Sequence, residues 1–236
     1  FSIGNGGLSP MMYSNFLKKV LILSVVQGRG SGAERVLEYL MSAQGGVLSK
    51  DLLVVSPKES ALASAAKDLG YEWLAWEAQE DSFCSNFGAF LKLTRMPEIG
   101  TVGIFHAWAA RSFEWAVALS VLKGAAALGT LHDSPRAFFH GRIRRWIMRS
   151  SARFMSGYVC VSRAVLNECD KCRFRASGRV IHNGLPDMPQ NSMHMNPVVQ
   201  IGFLGTQFAL KGVEILAEVI KKTTHLPVHW NLFGEP

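Results

Sequence analysis

Three glycines follow the first predicted strand and could present backbone N–H groups to an anion or a sugar hydroxyl. Gly28, Gly30 and Gly32 lie between an apolar run at 20–26 and a helical pattern at 33–40. Glycine removes the Cβ atom where the backbone must turn sharply, and the N-terminus of a helix offers N–H groups that bind phosphate. The spacing GRGSG is neither the GxGxxG of dinucleotide-binding folds nor a P-loop. The sequence therefore predicts either a phosphate or sugar contact here or an ordinary tight turn.

Polar residues at the ends of later strands form a second group of candidates, because ligands of doubly wound sheets bind beyond the carboxyl ends of the strands. These residues are His106, His132, Asp133, Ser162, Asn183 and Gly184. His132 is the candidate catalytic residue, since it could hydrogen-bond a substrate hydroxyl while Asp133 orients it. The alternative is a solvated rim histidine. His106 is a second rim candidate, whereas Ser162 is expected to cap a helix and Asn183 to make a turn.

The elements that position these residues alternate between strand and helix. Apolar runs predict strands at 20–26, 51–55, 71–76, 101–106, 125–131, 157–161 and 179–182. Helical spacing predicts helices at 33–40, 59–69, 82–95, 109–122 and 135–154, and another after Ser162. This alternation predicts an α/β fold, a doubly wound, Rossmann-like parallel sheet with right-handed crossovers.

A change of pattern near residue 186 predicts a domain boundary. Residues 186–197 are rich in Pro, Asn, Ser and Met without periodicity, which predicts a linker after a first domain at 16–185. Residues 198–236 restart the strand–helix–strand pattern, and we expect them to begin a second Rossmann-like domain that is incomplete here, since one such unit cannot bury its own faces. Residues 1–15 are rich in Gly, Ser and Asn and predict a disordered lead.

Composition excludes some classes of protein and leaves others open. The chain has 236 residues, 48% of them apolar and 18% charged, which is typical of a globular protein. Its net charge of +7 favours phosphorylated ligands, an anionic membrane or nucleic acid as partners. No apolar run reaches the roughly 18 residues of a membrane span. Cys169 and Cys172 have zinc or redox spacing but no second pair, so we expect structural or incidental thiols, a reducing compartment and no metal site.

The predicted helix at 135–154 carries one basic and one apolar stripe. The basic stripe consists of Arg142, Arg145, Arg149 and Arg153, and the apolar stripe of Phe139, Ile143, Trp146, Ile147 and Phe154. We expect the apolar stripe to pack on the sheet, because a crossover helix needs a buried face. The alternative is docking on an anionic membrane leaflet. The membrane-facing residues would then be Arg142, Arg145, Trp146 and Arg149. No nucleic-acid-binding motif is present, so that partner is not expected.

Several short motifs occur in an order that resembles one enzyme family. They are SGAERVL after the first strand, LHDSP after the fifth, VCVSRAV after the sixth, VIHNGLPD before the linker and IGFLGTQFALKGVEIL after it. Together they resemble the retaining glycosyltransferases of family four, which have the GT-B fold of two facing Rossmann-like domains. The resemblance covers most of residues 18–236, the acceptor-side domain and the start of the donor-binding domain.

The resemblance implies roles for individual residues in a cleft between the two domains. Gly30, Gly32 and Glu34 would face the donor phosphate or the acceptor, with Ser31 replacing one glycine of the family's motif. His132 would lie near the transferred sugar. The donor-phosphate loop would comprise Gly205, Thr206 and Lys211, with Thr206 in place of the family's arginine. Lys211 could stabilise the leaving diphosphate beside the N-terminus of its helix, and an exposed helix-start lysine is the alternative.

The resemblance implies transfer of a sugar from a nucleotide-sugar donor to a glycan or lipid-linked acceptor, in the synthesis of a cell-envelope polysaccharide or glycolipid. It also implies retention of configuration by front-side attack, without a cofactor or metal. The expected location is cytoplasmic, including a peripheral position on the inner face of the membrane. Three alternatives remain open: a nucleotide-sugar epimerase of the same architecture, a Rossmann-type oxidoreductase and a non-catalytic binding domain. The missing GxGxxG disfavours the oxidoreductase.

Overall fold

A computed structural model describes residues 19–26, 32–43, 51–78, 82–135, 142–174, 176–187, 198–205 and 211–234, apart from the side chains of Arg142, Arg144 and Arg145. The chain divides into two compact units, Phe1–Pro186 and Asp187–Pro236. The predictions for the lead at 1–15, for nearly all of the linker, and for Gly28, Gly30, Phe139 and Thr206 lie outside the described residues.

The first unit is a parallel sheet with helical crossovers. Its strands are β1 (Lys19–Leu23), β2 (Leu52–Ser56), β3 (Glu72–Ala75), β4 (Val102–Ala107), β5 (Ala126–Leu131), β6 (Gly157–Cys160) and β7 (Gly178–Val180). Its helices are α1 (Gly32–Ala43), α2 (Ala61–Asp68), α3 (Phe83–Thr94), α4 (Phe113–Lys123), α5 (Arg142–Arg153) and α6 (Arg163–Lys171), with short 3-10 turns at Pro97–Thr101 and Ala110–Ser112. The strand order is β3-β2-β1-β4-β5-β6-β7 with every pair parallel. The predicted doubly wound α/β fold is confirmed.

Alternate residues of each strand enter different apolar layers, because successive side chains point to opposite faces of a sheet. Leu21 and Leu23 of β1 pack with residues from α3, α4, α5 and α6, whereas Ile22 packs with α1 and α2. The chain moves outward from β1 in one direction to β3 and then in the other direction from β4 to β7. The strand order therefore reverses between β1 and β4, where doubly wound sheets open a crevice for ligands.

Local signals fix several of the helix ends. Ser162 accepts a hydrogen bond from the backbone N–H of Val165 at 3.2 Å, which confirms the predicted cap of α6. Gly70 follows α2 with φ of 73°, a left-handed conformation that only glycine adopts without strain.

Two strands end earlier than predicted. β1 stops at Leu23 and not at residue 26, because the backbone N–H of Val25 donates to the Oγ of Ser112 at 3.2 Å and no longer to a neighbouring strand. β7 stops at Val180 and not at residue 182, since its neighbour β6 ends at Cys160. Both strands therefore end before the residues that sequence reasoning had placed at the rim.

The expected packing of α5 is wrong. Among the described side chains of this helix, Met148, Ser151 and Ala152 are buried, whereas Ile143 and Trp146 of the apolar stripe are 76% and 66% exposed. The helix packs against α4, and its Met148 belongs to the same core cluster as Leu21 and Leu23. The face that was expected to be buried is therefore largely turned outward. No helix in the described part of the chain is long and apolar enough to span a bilayer.

The second unit is a single strand–helix–strand arrangement. Strands β8 (Val199–Leu204) and β9 (Val228–Phe233) pair in parallel and are connected through α7 (Val213–Lys222). No residue of α7 is buried, and Leu204 and Ile215 are 85% and 72% exposed. The hydrophobic side chains of this unit thus remain largely open to solvent.

Two glycines of the first unit offer a matched test of the packing. A Cβ atom at Gly129 would lie 2.5 Å from both Met155 Cε and Phe113 Cζ, while one at Gly88 in α3 would meet nothing within 4 Å. Gly129→Ala is therefore expected to lower the free energy of unfolding by about 1–3 kcal/mol through overpacking. Gly88→Ala should raise it by about 0.5–1 kcal/mol, because alanine is the better helix former. Urea denaturation followed by tryptophan fluorescence would measure both, and equal effects would contradict the packing at Gly129.

Candidate functional site

The candidate site lies where β1, β4 and β5 end beside the first turn of α1. These strands are neighbours, with Ile22 in register with His106, and His106 in register with Leu128. Residues in register on neighbouring parallel strands point to the same face of the sheet. His106 therefore shares the face of Ile22, on which α1 and α2 pack. Trp108 continues this pattern beyond β4, and Thr130 and His132 continue it at the end of β5. The topology therefore gathers one tryptophan, one threonine and two histidines at one edge of the sheet.

Trp108 connects the elements of this edge. Its backbone N–H donates to the carbonyl oxygen of Leu23 at 2.9 Å, and its indole Nε1 donates to the carbonyl oxygen of Ala33 in the first turn of α1 at 2.8 Å. Its ring centroid lies 5.0 Å from that of His132 and 5.7 Å from that of His106. The residue is 6% exposed. Trp108 thus fixes the start of α1 relative to both histidines.

His132 is the histidine whose hydrogen bonds are not satisfied by the described residues. Both of its ring nitrogens are inaccessible to solvent, and neither has a hydrogen-bond partner among the described residues. Burial lowers the pKa of His132, and the charge of exposed Asp133 opposes that shift only partly. The ring is therefore neutral near pH 7 and has one donor and one acceptor nitrogen. A buried polar atom without a partner is costly, and the described residues supply a hydrogen-bond partner to neither ring nitrogen of His132.

His106 differs from His132 in being held by the protein itself. The Nε2 of His106 lies 2.8 Å from the Oγ1 of Thr130. His106 lies inside β4, one residue before its last residue, Ala107. Burial, with a smaller contribution from His132, lowers the pKa of His106 to about 4. His106 also lines a cavity of about 320 Å³ over β5, β6 and β7, together with Leu128, Val159 and Arg179. Of the four residues gathered at this edge, His106 lines that cavity, whereas Trp108, Thr130 and His132 do not.

The glycine-loop residues are described only where the loop joins α1. Gly32 is the first residue of the helix and is exposed, and Glu34 in the first turn is 3% exposed. A carboxylate in the first turn interacts favourably with the helix dipole. Trp108 donates to the carbonyl oxygen of the neighbouring Ala33, so the residue whose ring contacts both histidines also positions the helix turn that carries Glu34.

The remaining predicted site residues lie elsewhere. Asn183 follows β7 in irregular backbone and is exposed. In the second unit, Lys211 is exposed and is followed by Gly212. Gly212 has a φ of 71° and directly precedes α7, which begins at Val213. The backbone N–H of Gly205 donates to the carbonyl oxygen of Phe233 at 2.9 Å, which holds the end of β8.

The cysteines form a buried thiol pair and no cluster of metal ligands. Cys160 Sγ and Cys169 Sγ are 3.8 Å apart and both residues are 0% exposed, while Cys172 is half-buried. Within the described ranges, three or more His, Cys, Asp or Glu side chains nowhere converge in a way that could hold a metal ion.

Sequence reasoning missed Trp108 and Thr130. Both could have been found from the strand pattern, since an aromatic residue with an N–H donor comes two positions after His106, and a hydroxyl residue comes two positions before His132. Equal spacing along neighbouring parallel strands predicts a shared face.

No protein-family model matches the chain, and no curated protein matches it. Solved structures do match. HepE from Anabaena, in complex with UDP and glucose, superposes with a TM-score of 0.70 at 17% identity over 91% of this chain and 60% of its own. The lipopolysaccharide outer core galactosyltransferase WaaB gives a TM-score of 0.61 at 11% identity over 92% of this chain and 68% of its own.

A glycosyltransferase from Rickettsia africae ESF-5 gives a TM-score of 0.60 at 18% identity, covering 92% of this chain and 61% of its own. These likenesses show that the chain has the Rossmann-like fold of the GT-B glycosyltransferases. The chain spans about 60% of the length of HepE.

Proposed function

We propose that the protein is a glycosyltransferase that moves a sugar from a nucleotide-diphosphate donor to an acceptor hydroxyl. The observation that carries this proposal is the structural likeness to HepE over 91% of the chain, since HepE has been crystallised with UDP and with UDP-glucose. WaaB, a galactosyltransferase, supports the same class of reaction.

The group around Trp108 suits a sugar ligand. The neutral His132 carries an unpartnered donor and an unpartnered acceptor nitrogen within the described residues, and a sugar hydroxyl can both accept and donate a hydrogen bond. Trp108 fixes the imidazole from the side through its ring contact. We assign His132 the role of hydrogen-bonding the donor sugar or the acceptor hydroxyl at the reacting centre. Exposed Asp133 offsets part of the lowering of the His132 pKa by burial.

The finer chemistry follows the family resemblance. In this proposal the bond between the anomeric carbon and the diphosphate oxygen breaks while the acceptor oxygen attacks the same face, so that configuration is retained. The proton of the acceptor hydroxyl passes to an oxygen of the leaving diphosphate, and no metal takes part. Negative charge develops on the leaving diphosphate, and the ammonium of Lys211 is assigned to stabilise it. The proposed acceptor is a glycan or a lipid-linked glycan of the cell envelope, modified in the cytoplasm.

The proposed reaction is tested by incubating the full-length gene product with UDP-glucose, UDP-galactose and UDP-N-acetylglucosamine and measuring release of UDP. We expect one donor to be consumed, faster when a glycan acceptor is added. Failure of every nucleotide sugar to bind in calorimetry would overturn the proposal, and epimerised donor without release of UDP would favour the epimerase.

Lys211→Ala is expected to weaken binding of UDP about tenfold or more, since a hydrogen bond to a charged group contributes about 1.5–3 kcal/mol. Isothermal titration of the full-length protein would measure the dissociation constant. Lys222→Ala, at the exposed end of α7, removes the same charge and is the matched control. Equal affinity of the two variants for UDP would contradict the role of Lys211.

A further inference from the structure

We propose that the outer face of α5 docks on the surface of an anionic phospholipid bilayer. This outer face is defined by Ile143, Trp146, Arg149, Arg153 and, directly after the helix, Phe154. The inference is independent of the proposed reaction, because it rests only on which side chains the helix turns outward.

The orientation of α5 is the first argument. A crossover helix normally buries its larger apolar side chains, yet Trp146 and Phe154 are 66% and 65% exposed while Ser151 and Ala152 are buried. Trp146 is exposed far more than Trp76, Trp108 or Trp115, which are at most 6% exposed. The packing of the domain does not explain why a large aromatic residue occupies this outward position.

The charge of the helix is the second argument. The α5 sequence RIRRWIMRSSAR contains five arginines and no acidic residue. Arg149 and Arg153 are exposed, and no carboxylate of the described residues forms an ion pair with either. Helices that lie in the membrane interface combine basic residues with Trp, Phe and branched aliphatic side chains in this way. Negative lipid headgroups complement the arginines, and the acyl boundary accepts the aromatic rings.

Two other helices of the same layer also carry exposed apolar side chains. α3, α4 and α5 all pack on the same face of the sheet. Phe83 of α3 is 63% exposed, and Val121 and Leu122 of α4 are 65% and 61% exposed. A bilayer is a broad surface, so it can contact side chains from several helices of one layer at once.

Two other occupants fit less well. A second copy of the chain would bring identical arginine-rich faces together, because a two-fold interface is self-complementary, and like charges would repel. A nucleic acid would pair with the arginines through its phosphates but would leave Ile143 and Trp146 without an apolar partner.

Vesicle sedimentation tests the electrostatic part of the proposal. The chain is expected to bind vesicles of phosphatidylcholine mixed with phosphatidylglycerol and to bind pure phosphatidylcholine at least about tenfold less, since each basic residue near the surface contributes to attraction. Arg149→Glu with Arg153→Glu should reduce binding to the anionic vesicles about tenfold or more. Lys58→Glu with Lys222→Glu changes the net charge equally at exposed positions outside α5 and should retain binding. Equal loss in both double variants would overturn the proposal.

Fluorescence tests the apolar part. Anionic vesicles should shift the tryptophan emission to the blue, and brominated phospholipids should quench it, in the unmodified chain. Both signals should be lost in Trp146→Phe, whereas Trp230→Phe in the second unit is the control that keeps them.

Ile143→Ser with Trp146→Ser should weaken vesicle binding without changing the midpoint of thermal unfolding, because both side chains are exposed. The proposal would be overturned by a blue shift that persists in Trp146→Phe. It would also be overturned if RNA displaced the vesicles and bound in their place, or if the chain self-associated in sedimentation velocity without binding vesicles.

Discussion

His132→Leu is expected to stabilise the first unit and to remove most of the proposed transfer activity at the same time. In the folded chain both ring nitrogens of His132 are buried without a hydrogen-bond partner among the described residues. Leucine has no polar atom to desolvate and can keep the contact with Trp108. Replacing an unsatisfied buried polar group by an apolar one of similar size removes a penalty of about 1–3 kcal/mol. The free energy of unfolding should therefore rise by about 1 kcal/mol or more, as measured by urea denaturation.

The expected loss of activity in the same variant is large. Removing one preorganised hydrogen bond at a reacting centre lowers kcat by about 10²–10³-fold. The full-length protein would be assayed for release of the nucleoside diphosphate at saturating donor, so that kcat and KM are obtained separately. We expect most of the effect in kcat, because His132 is assigned to the reacting centre and Lys211 to the diphosphate.

The pairing of higher stability with lower activity distinguishes a functional histidine from a structural one. If His132 were structural, its replacement would lower the free energy of unfolding. If it were merely solvated, its replacement would change neither the free energy of unfolding nor the activity. His182→Leu is the matched control, since His182 is an exposed histidine whose Nδ1 lies 3.0 Å from the carbonyl oxygen of Val161 and which is far along the sheet from Trp108. Either a less stable or a fully active His132→Leu variant would refute the assignment.

The sequence predicted the fold better than it predicted the site. Strand and helix periodicity is local, so the alternation that defines a doubly wound sheet is visible without knowledge of any long-range contact. The meeting of Trp108 with His132 depends on β4 and β5 being neighbours in register, with His106 opposite Leu128. The register between strands is a tertiary property and is not visible in the sequence. The sequence shows only that His106 and Trp108, and likewise Thr130 and His132, are two residues apart.

The basic helix shows a different limit of sequence reasoning. For α5 the sequence predicted the wrong buried side, because Met148, Ser151 and Ala152 are buried while Ile143 and Trp146 are exposed. The buried side depends on tertiary packing, which includes the contact with α4. Helical spacing gives the angle between residues and does not say which side faces inward. For Gly28 and Gly30 the phosphate or sugar contact stays a prediction, since both lie outside the described residues.

Lowering the pH below 6.5 is expected to destabilise the first unit through His106. The pKa of His106 is lowered from 6.5 to about 4 in the folded protein, chiefly by burial and further by His132. Between these two values the unfolded chain binds a proton that the folded chain does not bind. The stabilising contribution is therefore complete above pH 6.5 and is lost as the pH falls towards 4, by about 1.4 kcal/mol per pH unit. Burial lowers the pKa of His132 as well, so its contribution has the same sign.

His106→Gln isolates this contribution, because glutamine does not titrate and can keep a hydrogen bond to Thr130 near the position of Nε2. Between pH 7 and pH 5 the unmodified chain should lose about 2 kcal/mol more unfolding free energy than the variant. Urea denaturation at several pH values would give the difference, with His225→Gln, at an exposed position of the second unit, as the control. Parallel pH profiles for the unmodified chain and His106→Gln would show that His106 takes up its proton equally in both states, and would contradict its enclosure beside Thr130.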